Sequence, residues 1–210
     1  MLELFEWPPT RSQRVRWVLE ELGSSYVSRP VNLMNGEQHD AGYRAIHPVG
    51  VVPAVRTEDY SMTESGAIVL KLIEEHPDAG LAPKPGTPER AAFYQWSFFA
   101  CAELDPAVML YFDNTMRPKE VMRPAGSEHQ PLLAEKGKRD FEERAEMLST
   151  ALAEQSYLAG GDFSGADILV GHSCFMATVT GLIEGYPVLQ RYFERLQQRP
   201  AYQRAYAGIG

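Results

Sequence analysis

Ile46-His-Pro-Val-Gly-Val-Val-Pro-Ala-Val55 leads through a short polar turn, Arg56-Thr-Glu-Asp59, into Tyr60-Ser-Met62 and then Thr63-Glu-Ser-Gly-Ala-Ile68. Residues 51–55 are apolar enough for a strand, yet Pro53 cannot donate to a central ladder. Either this is an edge strand, or Pro53 stands just before a strand in a special backbone geometry. Residues 63–75 change period: Val69, Leu72, Ile73 and His76 align on one helical face, and Pro77 ends the helix. A cis X-Pro bond at Pro53 would turn the Val52 N–H and C=O outward, free to pair with an extended ligand as an added strand would.

Upstream, Leu2-Glu-Leu-Phe5 reads as a strand and Pro8-Pro9 as a turn. Val15, Val18, Leu19 and Leu22 form one helical face closed by Gly23, and residues 26–31 read as a second strand. Two strands joined by a helix imply a parallel pair with a right-handed crossover. The order β-α-β-(loop/α)-β-β-α is a compact α/β unit. Downstream, Gly80-Leu-Ala-Pro-Lys-Pro-Gly-Thr-Pro88 has the composition of a linker.

Beyond the linker no strand pattern stands out. Residues 89–112 read as an aromatic-rich helical stretch kinked at Asp105-Pro106. Residues 113–131, with Pro118, Pro124, Gly126 and Pro131, read as a loop. A helix with Phe141, Ala145, Leu148 and Leu152 on one stripe follows, then helical segments near 165–183, 187–198 and 200–207. The expected organisation is an α/β domain over 1–79, a linker over 80–88 and an all-helical domain over 89–210. Phe163-Ser-Gly-Ala-Asp-Ile168 is a helix start, with a capping box from Ser164 to Asp167 and a hydrophobic staple between Phe163 and Ile168.

Composition limits the function. The 210 residues carry 20 Lys+Arg against 28 Asp+Glu, a formal charge of −8, which argues against a general nucleic-acid binder. No apolar run approaches the roughly 18 residues that cross a bilayer, and the N-terminus has no secretory pattern. Cys101 and Cys174 are too few for a disulfide framework, and five scattered histidines suggest no metal site. The expectation is a water-soluble, cytoplasmic protein with no nucleic-acid or membrane partner and no metal.

Glu64 and Ser65 fall in the first turn of a helix, where N–H groups have no helical partner and the dipole adds positive potential. A ligand carboxylate would suit the Ser65 N–H and hydroxyl, and Glu64 would accept an ammonium. The alternative is that Thr63 merely caps the helix and Glu64 favours its dipole.

Taken in order, Arg14-Val-Arg-Trp-Val-Leu-Glu-Glu-Leu-Gly23, His47-Pro-Val-Gly-Val-Val-Pro53, Thr63-Glu-Ser-Gly-Ala-Ile68 and Phe163-Ser-Gly-Ala-Asp167 resemble the cytosolic glutathione S-transferases. The resemblance implies a thioredoxin-like N-terminal domain followed by a C-terminal helical bundle domain, and glutathione as co-substrate. It implies that Pro53 is a cis-proline, that Val52 pairs with the cysteinyl part of glutathione, and that Glu64 and Ser65 bind its γ-glutamyl end. Gln38 and His39 fall where family members reach the glycyl carboxylate, although a plain surface loop is the alternative. A homodimer is implied as well.

In this family a Tyr, Ser or Cys after the first strand stabilises the glutathione thiolate, the reactive species. Here the loop reads Glu6-Trp-Pro-Pro-Thr-Arg-Ser-Gln13, with neither Tyr nor Cys, and Trp7 and Pro9 fall near the usual catalytic position. Thr10 ranks first as thiolate donor, Ser12 second and Arg11 third. Thr10 with Gln13 also fits a capping box. Val51 stands where many members carry a polar residue, which suggests altered or weaker binding. The second-substrate pocket is expected between the domains, lined by Met109, Tyr111, Phe112 and Met116, although an aromatic stripe is also core-like.

The leading expectation is an enzyme that activates glutathione for attack on a small apolar electrophile, with a detoxification role. The alternatives are a non-catalytic member acting as a binding or scaffold protein, or a glutathione-dependent isomerase, peroxidase or dehalogenase. The reactive sulfur should arrive with the ligand, since neither cysteine lies in the first loop. The 7 Lys+Arg against 12 Asp+Glu in residues 1–79 cannot attract an anion. A local patch of Arg11, Arg14 and Arg16, with helix N-termini, would have to hold it.

Overall fold

A computed structural model describes residues 1–118 and 128–209. They form two compact units: Met1–Ala79 together with residues 198–209, and Gly80–Gln197.

The first unit is built on a four-stranded sheet of β1 (Leu2–Glu6), β2 (Tyr26–Pro30), β3 (Ala54–Arg56) and β4 (Ser61–Thr63), in the order β2-β1-β3-β4. β1 runs parallel to β2, and β3 is antiparallel to both β1 and β4. β3 is therefore internal, and Pro53 precedes it rather than sitting in an edge ladder, which settles the choice between its two readings. The Val52-Pro53 bond is cis, and so is Pro8-Pro9, which the sequence did not announce.

Helix α1 (Ser12–Leu22) crosses between the parallel strands and ends as its glycine predicts. Gly23 takes φ 61°, the Ser24 N–H reaches the Leu19 carbonyl at 3.0 Å and the Gly23 N–H the Glu20 carbonyl, a Schellman closure. Val15, Val18 and Leu19 of α1 are buried, as are Ile68, Val69 and Leu72 of α3 (Ser65–Glu75), which packs against it. A second cluster of Phe5, Val31, Tyr43, Val52 and Ala54, with Trp7, Leu33 and Ile46 against it, includes the short helix α2 (Ala41–Arg44). Each cluster buries apolar area worth about 25 cal/mol per Å².

The second unit is helical: α4 (Pro88–Phe99), α5 (Asp105–Thr115), α6 (Pro131–Ala151), α7 (Gly165–Val179) and α8 (Pro187–Gln197). The expected kink at Asp105-Pro106 takes the form of a π-helical segment, Ala100–Leu104. Pro106 has no N–H, and its ring would clash with the Ala102 carbonyl, so the ladder slips there. The expected loop over 113–131 is shortened by α5 at its start; Pro124 and Gly126 lie outside the described residues. Gly137 of α6 meets α5 closely: a Cβ there would lie 2.6 Å from the Tyr111 backbone nitrogen. Helix α7 opens with the predicted capping box of Ser164 and Asp167 and is buried along most of its length.

The last helix, α9 (Pro200–Ala205), belongs to the first unit and packs on α1, although the sequence reading grouped it with the other helices. Periodicity marks such a segment as helical but does not say which surface its apolar side covers. Among the described residues no helix is long and apolar enough to cross a membrane.

Candidate active site

Strand register brings three segments to one end of the sheet. Ala54 pairs with Thr63 and with Phe5. One step beyond these pairs, Pro53 falls between Glu64 and Glu6. The segment before β3, the start of α3 and the loop after β1 thus converge, as ligand sites do at strand ends.

At the start of α3, Glu64 holds φ 69° and ψ 103°, the one non-glycine positive φ among the described residues. Such a backbone costs roughly 1–3 kcal/mol and persists where surroundings or function demand it. Its carbonyl accepts the Ile68 N–H at 2.9 Å, so Glu64 is itself the cap residue. Thr63 lies in β4, and the alternative in which Thr63 caps the helix is not realised. Ser65 is buried, and its Oγ accepts a hydrogen bond from Arg14 Nη1 at 3.3 Å. That guanidinium is 1% exposed and sits directly beneath the turn. Sequence reasoning missed this role for Arg14, but a signal existed: Arg14 lies four residues before Val18, on the side of α1 that turns inward.

Val52 is 9% exposed, and among the described residues its amide group enters no hydrogen bond. The loop carrying it is braced by the Tyr43 hydroxyl, which donates to the Val51 carbonyl at 2.5 Å. Gly50, at φ +68°, admits a close neighbour: a Cβ there would lie 2.5 Å from the Gln38 carbonyl oxygen. This contact seats the Glu37–His39 turn on the Val51-Val52 segment. Gln38 is buried with its Nε2 3.4 Å from His39 Nε2, its Oε1 has no partner, and His39 is exposed. His47 is a second residue the sequence reading passed over. It is 4% exposed, burial pulls its pKa down, and the negative charge of Glu64 opposes that shift.

The loop after β1 is closed on itself. The Thr10 hydroxyl donates to the Trp7 carbonyl at 2.5 Å and lies 2.8 Å from Ser12 Oγ. It also accepts the Ser12 N–H at 3.2 Å, while Ser12 Oγ accepts the Trp7 N–H at 3.4 Å. With its one proton on Trp7, Thr10 receives the proton of Ser12, so both hydroxyls are engaged inside the loop. Ser12 is fully buried; Arg11 is exposed at the N-cap of α1. The capping box of Thr10 and Gln13 is not formed: the Gln13 N–H bonds the Thr10 carbonyl at 3.0 Å and its side chain reaches the Ala205 carbonyl. The basic patch of three arginines is dispersed as well, because Arg14 turns inward and Arg16 pairs with the buried Glu6.

Met109 lies midway along α5, Tyr111 and Phe112 in its C-terminal half and Met116 just past its end, all in the second unit. The first three are half-buried and Met116 is 48% exposed. Arg117 covers the Phe112 ring at 5.7 Å. Cys174 is buried and its thiol is pushed up to about 12, so it is inert near neutral pH; Cys101 is half-buried in the π-helical segment.

A thioredoxin-like unit whose strand ends converge in this way, joined to a helical unit, is the architecture of the glutathione S-transferases. Residues 4–83 match the model of the glutathione S-transferase N-terminal domain, and residues 104–200 that of the C-terminal domain. Glutathione S-transferase Z2 of Arabidopsis thaliana is 26% identical over 95% of this chain and 87% of its own length. Another glutathione S-transferase of Arabidopsis thaliana is 31% identical over 76% of this chain and 73% of its own. The crystal structure of glutathione transferase F7 from Populus trichocarpa superposes with a TM-score of 0.88 at 22% identity, covering 100% of both chains. The chain belongs to the glutathione S-transferase family.

Proposed function

We propose that the protein binds glutathione at this sheet end and activates its thiol for attack on a small apolar electrophile. The observation that carries the reading is the charge arrangement at the start of α3. The buried Arg14 guanidinium donates to Ser65 Oγ, which leaves the Ser65 proton free to point to a ligand carboxylate. The adjacent Glu64 carboxylate is exposed to receive an ammonium. One amino-acid zwitterion suits both, and the γ-glutamyl end of glutathione is one.

From that anchor the ligand runs antiparallel to Val52, whose N–H and C=O pair with the cysteinyl residue, toward Gln38 and His39 at the glycyl carboxylate. The sulfur then lies by the loop after β1, where Thr10, Ser12 and Arg11 are the thiolate donors in that order. For Thr10 to donate, its hydroxyl leaves the Trp7 carbonyl. With an aryl halide, the thiol gives its proton to solvent, the thiolate forms the carbon–sulfur bond and halide departs with the electron pair of the bond that breaks. Met109, Tyr111, Phe112 and Met116 receive the apolar electrophile. The protein acts as a cytoplasmic homodimer in detoxification, with no metal.

A thermal shift with millimolar glutathione, run beside aryl-halide conjugation, tests this reading. A rise in Tm with turnover is expected; no shift and no turnover sinks it. A binding role without catalysis is the second reading, favoured by the engaged hydroxyls of Thr10 and Ser12 and by Pro8 and Pro9, which offer no N–H. It predicts a thermal shift without turnover.

A further inference from the structure

Residues 198–209 stand more than 170 positions after α1, yet pack along it. Trp17 is fully buried and meets two tyrosines edge-on, Tyr202 at 4.9 Å and Tyr206 at 6.2 Å between centroids, while the tyrosines stack on each other at 4.2 Å. Arg199 forks onto Glu21 at 2.6 and 2.8 Å, and Arg204 reaches the Glu20 carboxylate at 2.7 Å and its carbonyl at 3.1 Å. These contacts join α9 to α1.

Gln13 adds a contact of another kind. It is the second residue of α1 and 1% exposed, and its Nε2 donates to the Ala205 carbonyl at 2.6 Å. Ala205 ends α9, so its carbonyl is one of those a helix leaves without an internal partner. The other half of the amide, Oε1, is buried with no partner. A half-satisfied buried amide is a poor way to fill space, since an apolar side chain of similar volume avoids the desolvation penalty. The position of Gln13 matters for another reason: its N–H closes the turn onto the Thr10 carbonyl at 3.0 Å, the turn that holds the Thr10 and Ser12 hydroxyls 2.8 Å apart.

We propose that Gln13 is a positioning residue: through the Ala205 carbonyl, the C-terminal segment fixes the first turn of α1 and thereby the thiolate-binding loop. The proposal rests on the reading above that this loop faces the glutathione sulfur.

Two measurements on Gln13→Met test it, namely hydrogen exchange at the amides of residues 12–14 and the pH dependence of aryl-halide conjugation. Methionine keeps the volume and removes the donor. Exchange at residues 12–14 should quicken about tenfold or more, as a local opening becomes easier. The rising limb of kcat/KM should move up by about half a pH unit or more, because a loosened loop stabilises the thiolate less. Tyr206→Ala, which loosens the packing of the C-terminal segment on Trp17 while leaving Gln13 unchanged, should move both in the same direction and serves if the methionine variant does not fold. Asp167→Asn weakens the other unit and should move neither. Unchanged exchange in the folded variants overturns the proposal, and so does faster exchange with an unmoved pH profile, which would make the anchor purely structural. If the wild-type protein neither binds nor conjugates glutathione, the functional reading and the sulfur-side role both fall, and exchange alone decides whether α9 sets the turn.

Discussion

Arg14 and Ser65 meet at 3.3 Å across the packed pair α1 and α3, guanidinium to hydroxyl, with both side chains buried. A charge is thus placed behind the hydroxyl rather than in front of it. The Ser65 oxygen accepts from Arg14, which orients its single proton outward and makes it a stronger donor. The N-terminal turn of α3 adds its own positive potential in the same direction. An arginine at the surface would be screened by solvent and salt; one held under the helix start acts through low dielectric.

Ser65→Ala should therefore weaken glutathione binding without unfolding the protein. A hydrogen bond to a charged group contributes about 1.5–3 kcal/mol, so the dissociation constant should rise by roughly tenfold to a hundredfold. Isothermal titration with glutathione measures it. A change of less than about twofold would show that the carboxylate binds elsewhere.

Glu64 offers a way to separate stability from binding. Its φ of 69° is unfavourable for any residue with a Cβ and open to glycine. Glu64→Gly should leave Tm unchanged or raise it, since relief of the strained backbone offsets the greater flexibility of the unfolded chain. The same variant should lose most of its affinity for glutathione, because the ammonium loses its carboxylate. Glu64→Gln keeps shape and backbone strain, and its affinity should fall with Tm nearly constant. Calorimetry and titration on the two variants together separate the effects.

His47 should make the first unit sensitive to acid. Its folded-state pKa is depressed by burial, against a smaller opposing pull from Glu64. Between the depressed value and the ordinary one near 6.5, the unfolded chain holds more protons than the folded one, so stability rises with pH there. The contribution is present above about pH 6.5 and is lost as pH falls through the folded-state value. The Glu64 carboxylate opposes the shift and so narrows this window, while the Tyr43 ring packs 6.3 Å from the imidazole. Tm measured from pH 7.5 to 5 should fall more steeply for the wild-type protein than for His47→Asn, which does not titrate. Parallel curves would remove His47 from the account.

Much of the architecture was legible because its signals are local. The apolar spacing of Val15, Val18 and Leu19, Gly23 as the end of α1, Pro53 ahead of β3 and the Ser164-Asp167 box each specify a backbone conformation within a few residues. The placement of Glu64 and Ser65 at a helix start was legible too, since a strand runs into a helix there. The inward side of α1 could mark Arg14 as buried, but not its contact with Ser65, which stands 51 residues away. The loop hydroxyls of Thr10 and Ser12 were legible as residue types, but not the direction of their protons, which depends on how the chain turns around Pro8 and Pro9. The attachment of α9 to α1 is a long-range choice of surface. No spacing within residues 200–205 encodes it.

The buried carboxylate of Asp167 carries the last prediction. Oδ1 accepts the Leu158 N–H at 3.0 Å and the Tyr192 hydroxyl at 2.8 Å, while Oδ2 accepts the Ser164 N–H at 2.9 Å and its hydroxyl at 3.0 Å. It thus ties the start of α7 to the preceding loop and to α8. Burial pushes its pKa up, and these four donors pull the other way. Asparagine has the same shape but only one acceptor oxygen, so Asp167→Asn turns an NH2 group toward one backbone N–H and one hydroxyl; the hydroxyl can rotate to accept, but the N–H is left unsatisfied in the interior. At roughly 1–3 kcal/mol for a buried unsatisfied group, the variant should lose about 1–3 kcal/mol by denaturant unfolding, with glutathione affinity unchanged. Asp167→Ala, which also opens a cavity, should lose more. A loss below about 0.5 kcal/mol for the asparagine variant would mean that the four donors contribute little to holding α7 and α8 together.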